Sequence, residues 1–186
     1  MQINYTSLAK NIYFTQLPGE IVDEIQNWKN KCDEIKNHPL AFLRLHENAG
    51  SNHNSYQVSV PIHLIENSYW LAYTLRLGAD ILKIDHRNLF LRKYTGHFDG
   101  LDCWINYSYK GNENPAHSHG GILSGVIYLN NEDKTNFPEL DWSIIGKKGD
   151  MILFPSNTVH EVKVQEKNYE RITFAFNFDA KNYMPV

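Results

Sequence analysis

The chain has 186 residues, 42% hydrophobic and 13% aromatic, and its 18 Lys and Arg against 21 Asp and Glu leave a formal net charge of -3. That length closes one sizeable core and leaves no room for two ordinary domains, so a single domain over residues 1–186 is expected. There is neither the basic excess of a nucleic-acid binder nor an acidic tail, so no nucleic-acid partner is expected and partners must be argued from a site. Cys32 and Cys103 are the two cysteines, far apart and without a C-x-x-C spacing, which argues against a disulfide framework and against a cysteine-rich zinc module. Met1 to Tyr5 lacks a basic start before an apolar run, and no stretch approaches the roughly 20 apolar residues that span a bilayer. A cytoplasmic, soluble protein with no membrane partner is the expectation, and the oligomeric state is open.

No internal repeat and no low-complexity stretch is present, so organisation has to be read from hydrophobic periodicity. Ile21, Ile25, Trp28, Cys32 and Ile35 recur at helical steps and form one stripe, with Pro18 suited to the first turn. The segment Glu47 to Ser55 has loop composition and is a candidate cover for a site. A second helix is expected from Ser68, a suitable N-cap, through Trp70, Leu71, Thr74, Leu75 and Ile81 to the Ile84-Asp85 region, with Gly78 weakening it. The period then changes near residue 85, so residues 1–85 read as a helical support and 86–186 as a run of about eight strands, six of them legible. Those six cover residues 88–94, 102–109, 122–129, 150–154, 158–164 and 171–178. The pattern predicts a mainly β sandwich or barrel with helices packed on one sheet.

Nine histidines are too many to interpret singly, since a lone histidine is more often a packed or surface residue than a ligand. In Pro115-Ala116-His117-Ser118-His119 two imidazoles stand two apart on an extended segment and point to one face. His160 begins a later strand that a closed sheet can bring opposite His117. Ligands from two distant strands leave adjacent coordination positions open, whereas a structural zinc site is normally closed by four.

The last strand alternates strictly. Arg171, Thr173, Ala175 and Asn177 share one face, while Ile172, Phe174, Phe176 and Phe178 share the other. The aromatic face is expected under the helices and the small polar face along a cavity. An arginine inside a cavity needs an anion, either a carboxylate ligand held by its planar fork or an Asp or Glu of the chain itself.

His117-Ser118-His119, Ser124 to Asn130, Phe154-Pro155-Ser156, His160 and Arg171 together resemble the 2-oxoglutarate/Fe(II) oxygenase superfamily, in particular small bacterial and phage proteins related to prolyl hydroxylases. The similarity is strongest over residues 104–177. It implies a double-stranded β-helix, or jelly roll, related to the cupins. It also implies the cofactors Fe(II), 2-oxoglutarate and O2, with ascorbate as a candidate reductant, and a hydroxylase acting on a peptidyl or small amino-acid-like substrate. By position, His117 and His160 look like iron ligands, Arg171 like the partner of the far carboxylate of 2-oxoglutarate with Thr173 beside it, and Tyr109 and Tyr128 like tyrosines near that cosubstrate. Tyr109 and Tyr128 could equally be core residues with satisfied hydroxyls.

The superfamily usually carries a carboxylate where this chain has His119. Either His119 completes the metal site, or a downstream carboxylate does, Glu139 or Asp141. A three-histidine site carries one negative charge less, and two alternatives follow: a cupin-like three-histidine metalloenzyme that uses no 2-oxoglutarate, or a catalytically inactive barrel acting as a binding protein. Substrate contacts are expected from the loop at residues 47–55 and the turn at residues 130–136.

Overall fold

The computed structural model describes residues 6–9, 11–37, 45–47, 56–93, 100–130 and 133–181. Three α-helices occur among them: α1 (Gly19–Lys36), α2 (Ile62–Ile65) and α3 (Tyr69–Leu82). Helix α1 buries Ile21, Ile25, Trp28 and Cys32, the stripe that spacing predicts, and Pro18 stands at its N-cap, where a missing N–H breaks no helical bond. Ser68 caps α3 by accepting the Leu71 N–H at 3.1 Å, which satisfies one of the donors a helix start leaves over. Among the described residues no helix is long and apolar enough to cross a membrane.

The strands form two antiparallel sheets. In chain order the larger holds β1 (Thr6–Ala9), β2 (Ile12–Gln16), β3 (Leu45–Glu47), β4 (Tyr56–Ser59), β5 (Leu89–Leu91), β6 (Cys103–Ser108), β8 (Leu123–Tyr128), β11 (Asp150–Pro155) and β13 (Arg171–Ala180). The smaller holds β7 (Asn114–His117), β9 (Asp133–Phe137), β10 (Trp142–Gly146) and β12 (His160–Val162). The larger sheet runs β1-β2-β11-β8-β13-β6-β4-β3 with β5 on the far end of β13, and the smaller runs β10-β9-β12-β7.

One expectation is corrected here. Residues 1–85 are not purely a helical support, because β1 and β2 extend one edge of the larger sheet through β11, and β3 and β4 extend the other through β6. These strands have three to five residues, too few for a two-residue alternation to stand out, and their pairing is set by neighbours remote in sequence. Likewise β9 lies in the segment expected as the turn at residues 130–136 and β10 in a segment given no strand, while β7 covers most of the extended segment expected to carry His117 and His119. Residues 48–55 and 131–132, part of the expected substrate-contacting loops, and Tyr94 lie outside the described residues.

The two faces of β13 divide the molecule as its alternation predicts. Ile172, Phe174, Phe176 and Phe178 join the main core with Trp28 of α1 and Trp70 and Leu77 of α3. Trp70 is the centre of that layer, with ring centroids 4.8 Å from Phe174 and 5.0 Å from Phe176, both edge-on, and 5.6 Å from Trp28. On the other face a second cluster, Ile12, Tyr128, Phe137, Ile152 and Phe154, ties the smaller sheet to the larger. Beside that cluster the space between the sheets opens into a cavity of about 620 Å³.

Candidate metal centre

The smaller sheet brings the histidines together. His160 of β12 is the direct register partner of His117 of β7, so two residues 43 apart in sequence face each other across one ladder. His119 lies just past the end of β7, where its N–H donates to the Ser156 carbonyl at 2.8 Å. The ring centroids are 4.4 Å apart for His117 and His160, 4.9 Å for His117 and His119, and 5.0 Å for His119 and His160. One ring nitrogen from each falls within 4.8 Å of the other two, close enough for three imidazoles to share an ion.

The tautomers suit that arrangement. His117 Nδ1 lies 2.7 Å from the Pro115 carbonyl oxygen and His160 Nδ1 lies 3.2 Å from that of Thr158. A carbonyl can only accept, so each Nδ1 carries the proton and each Nε2 keeps its lone pair. Burial, then the neighbouring His117 and Arg92, pushes His119 down to about 4. Burial, then His117 and His119, pushes His160 down to about 3. Both are neutral imidazoles at neutral pH, the form that ligates a metal.

Arg171 opens β13, is buried and lines the same cavity. Its charge is felt at His160. Thr173, next on that face, also lines the cavity and accepts Asn106 Nδ2–H at 3.3 Å. Tyr128 is packed in the second apolar cluster, and its hydroxyl lies 2.7 Å from Thr135 Oγ1, itself a lining group. The Tyr109 hydroxyl donates to Glu170 at 2.6 Å and accepts from Lys36 at 3.2 Å, which ties it to α1. Glu139 and Asp141 are exposed, in and just after the 3-10 turn Pro138–Leu140, and are not among the residues lining the cavity.

Four further lining residues were not singled out from the sequence: Arg92, Asp102, Trp104 and Asn106. The last three alternate along the β6 segment with the buried Cys103, Ile105 and Tyr107. That two-residue polar alternation was the available signal. Trp104 sets its ring 6.0 Å from His119 and donates Nε1–H to Asn106 Oδ1 at 2.8 Å.

No protein-family model and no curated protein matches the sequence, but solved structures match the fold over nearly the whole chain. Against the viral collagen prolyl hydroxylase of Paramecium bursaria Chlorella virus-1, solved as a 2-oxoglutarate complex, the TM-score is 0.61 with 16% identity over 92% of this chain and 97% of that one. The fold is that of the 2-oxoglutarate/Fe(II) oxygenases. SnoN, a non-heme α-ketoglutarate-dependent epimerase of nogalamycin biosynthesis, gives 0.63 with 12% identity over 92% of this chain and 77% of that one. HygX of Streptomyces hygroscopicus, solved with nickel, 2-oxoglutarate and hygromycin B, gives 0.58 with 9% identity over 94% of this chain and 85% of that one. The double-stranded β-helix expected from the sequence is therefore the architecture observed.

Proposed function

We propose that the chain is an Fe(II)- and 2-oxoglutarate-dependent dioxygenase, a hydroxylase of a peptidyl or amino-acid-like substrate. The observation that carries this reading is the sharing of one cavity by the three-histidine cluster and the buried Arg171. The donor set fits the metal: three imidazoles on two elements can bind iron and leave coordination positions for small ligands. His117, His119 and His160 would hold the ion, and the fork of Arg171, with Thr173 beside it, would hold the far carboxylate of the keto acid. Bound there, Fe(II), 2-oxoglutarate and O2 supply the oxidative decarboxylation to succinate and CO2 that places a hydroxyl on a substrate carbon.

The protein's own part is positioning and dryness. The carbonyls of Pro115 and Thr158 fix the rings of His117 and His160, and the Ser156 carbonyl fixes the backbone at His119. The Phe154 ring lies 4.8 Å from His160, tilted by 59°, and the Phe137 ring 6.2 Å, tilted by 34°, so that side of the cluster is closed by apolar rings. An apolar wall of this kind strengthens the charge interactions beside it.

Fold likeness to oxygenases of diverse substrates does not fix chemistry, and one observation favours a second reading. Among the described residues the metal-competent cluster contains no carboxylate, which suits a three-histidine metalloenzyme that binds no keto acid. An anaerobic titration separates the two. Adding 2-oxoglutarate to the Fe(II) protein is expected to give the weak visible charge-transfer band of a bidentate keto-acid chelate, lost in Arg171→Ala, and O2 is then expected to yield succinate. Stoichiometric metal with no band would favour the second reading, and no stoichiometric metal would leave a barrel that only binds.

A further inference from the structure

We propose that Asp102 is the positioning residue for His119, the third histidine of the cluster, and that it acts through a buried relay that closes on both sides of the loop carrying that ring. The inference rests on the reading of the cluster as a metal centre, and it is independent of whether a keto acid binds beside the metal.

His119 is held differently from its two companions. His117 and His160 each turn Nδ1 to a backbone carbonyl, so their rings are fixed directly. Among the described residues no carbonyl holds the His119 ring in this way. Its main-chain N–H donates to the Ser156 carbonyl at 2.8 Å, and its ring rests 6.0 Å from that of Trp104. It also stands past His117, the last residue of β7 to pair with β12. The place of this ring is therefore set by whatever holds its loop.

Two contacts hold the loop, and both lead to one carboxylate oxygen. On the first side is Ser156, whose Oγ lies 2.9 Å from Ser124 Oγ. Ser124 donates to Asn177 Oδ1 at 2.6 Å, and Asn177 Nδ2–H donates to Asp102 Oδ2 at 2.9 Å. On the second side the same Oδ2 is 3.2 Å from Arg92 Nη1. The guanidinium in that ion pair lies against Gly120, the residue after His119: a Cβ there would stand 2.5 Å from Nη1 and 2.7 Å from Cζ and Nη2. Asp102 thus orients both walls between which His119 sits.

The main chain makes Asp102 a fixed hub. Arg92 N–H donates to the Asn177 carbonyl at 2.9 Å, Asn177 N–H to the Asp102 carbonyl at 2.9 Å, and Asp102 N–H to the Arg92 carbonyl at 2.8 Å. Three segments remote in sequence are tied into one ring of backbone bonds. Asp102, Asn177, Ser124 and Ser156 are all buried, and a buried polar chain is rigid when every member is satisfied. Removing the Asp102 carboxyl leaves Asn177 and Arg92 without their shared acceptor, and the chain loses its fixed end.

The test loads the protein anaerobically with Co(II) and reads two quantities: the affinity, and the imidazole ring protons that the paramagnetic ion shifts out of the crowded region of the NMR spectrum. His119→Ala assigns the His119 resonances by their loss. Asp102→Ala is expected to weaken Co(II) binding by about tenfold or more, the scale of losing an outer-sphere partner. It should also displace or abolish the His119 resonances while those of His117 and His160 stay in place. Asp102→Asn can set its amide oxygen where Oδ2 stands and accept both bonds. It should therefore bind Co(II) within about threefold of the wild type and restore the His119 resonances.

Wild-type affinity with unmoved His119 resonances in Asp102→Ala would overturn the proposal. So would a disturbance spread evenly over all three histidines, which marks a merely structural role, or an Asp102→Asn variant no better than Asp102→Ala. If Asp102→Ala does not fold, Ser124→Ala cuts the same relay, and a displacement confined to His119 is again the expected result. A wild type that takes up no stoichiometric Co(II) removes the metal centre and this inference together. Co(II) held by the wild type, lost in His160→Ala and unaffected in Asp102→Ala removes this inference alone.

Discussion

His117 and His160 are register partners whose rings lie 4.4 Å apart, and each turns its Nδ1 to the carbonyl two residues upstream, Pro115 for one and Thr158 for the other. The same local device thus sets both Nε2 atoms toward one point. We predict that His160→Ala lowers Fe(II) or Co(II) affinity by at least about 100-fold, more than loss of an outer-sphere partner costs. Anaerobic metal titration measures it, with circular dichroism reporting that the sheet remains. Unchanged affinity in that variant would take His160 out of the ligand set.

A second prediction concerns the layer that supports the sheet. Trp70 is fully buried in a ring of Trp28, Phe174 and Phe176, yet its Nε1–H has no hydrogen-bond partner among the described residues. Trp70→Ala should cost about 3–5 kcal/mol through the cavity it leaves. Trp70→Phe should cost markedly less, because it removes an unpaired buried donor along with some apolar area. Urea midpoints of the two variants measure the difference, and equal losses would show that the indole nitrogen matters.

How much of this was legible depended on whether a residue's neighbours are local. The helix stripe from Ile21 to Ile35, the Ser68 cap and the two faces of the strand from Arg171 were readable because each is a periodicity within one element. The His117-x-His119 spacing was readable for the same reason. Strands β1 to β4 were missed because each is three to five residues long and owes its state to partners far along the chain. Arg92 was missed because nothing near it in sequence marks it, and its meaning comes from Asp102, Gly120 and Asn177, which only folding brings together.

Close packing between the helices' sheet face and the cavity gives a third prediction. A Cβ on Gly125 of β8 would stand 2.1 Å from the Phe176 ring and 2.8 Å from Leu153 Cδ2. Phe176 is held in turn by Trp70 and Phe178, so the ring has little room to yield. Gly125→Ala should destabilise by about 1–3 kcal/mol, a fall of roughly 3–10 °C in Tm for a chain of this size. A melting curve indistinguishable from the wild type would show that the ring shifts freely.

The last prediction follows from the cluster that pins α1 to the end of β6. Lys36 bonds Glu170 at 2.9 Å and Tyr109 at 3.2 Å, and lies 4.0 Å over the Tyr107 ring. Burial alone would lower the Lys36 pKa, but the bonds to Glu170 and Tyr109 and the Glu170 charge outweigh it and hold it above the ordinary 10.5. Burial, then the bond to Glu170, holds Tyr109 above its ordinary 10.0. In both cases the folded chain binds the proton more tightly than the unfolded chain. The stabilisation is therefore complete below the unfolded values and is lost as pH rises through the folded ones. Lys36→Met should cost about 1 kcal/mol at pH 7, since the pair is only partly buried and screened by solvent. Above about pH 10 the wild type should lose stability more steeply than the variant, so that their urea midpoints converge. A gap that stays constant to pH 11 would mean that Lys36 acts through packing on Tyr107 and not through its charge.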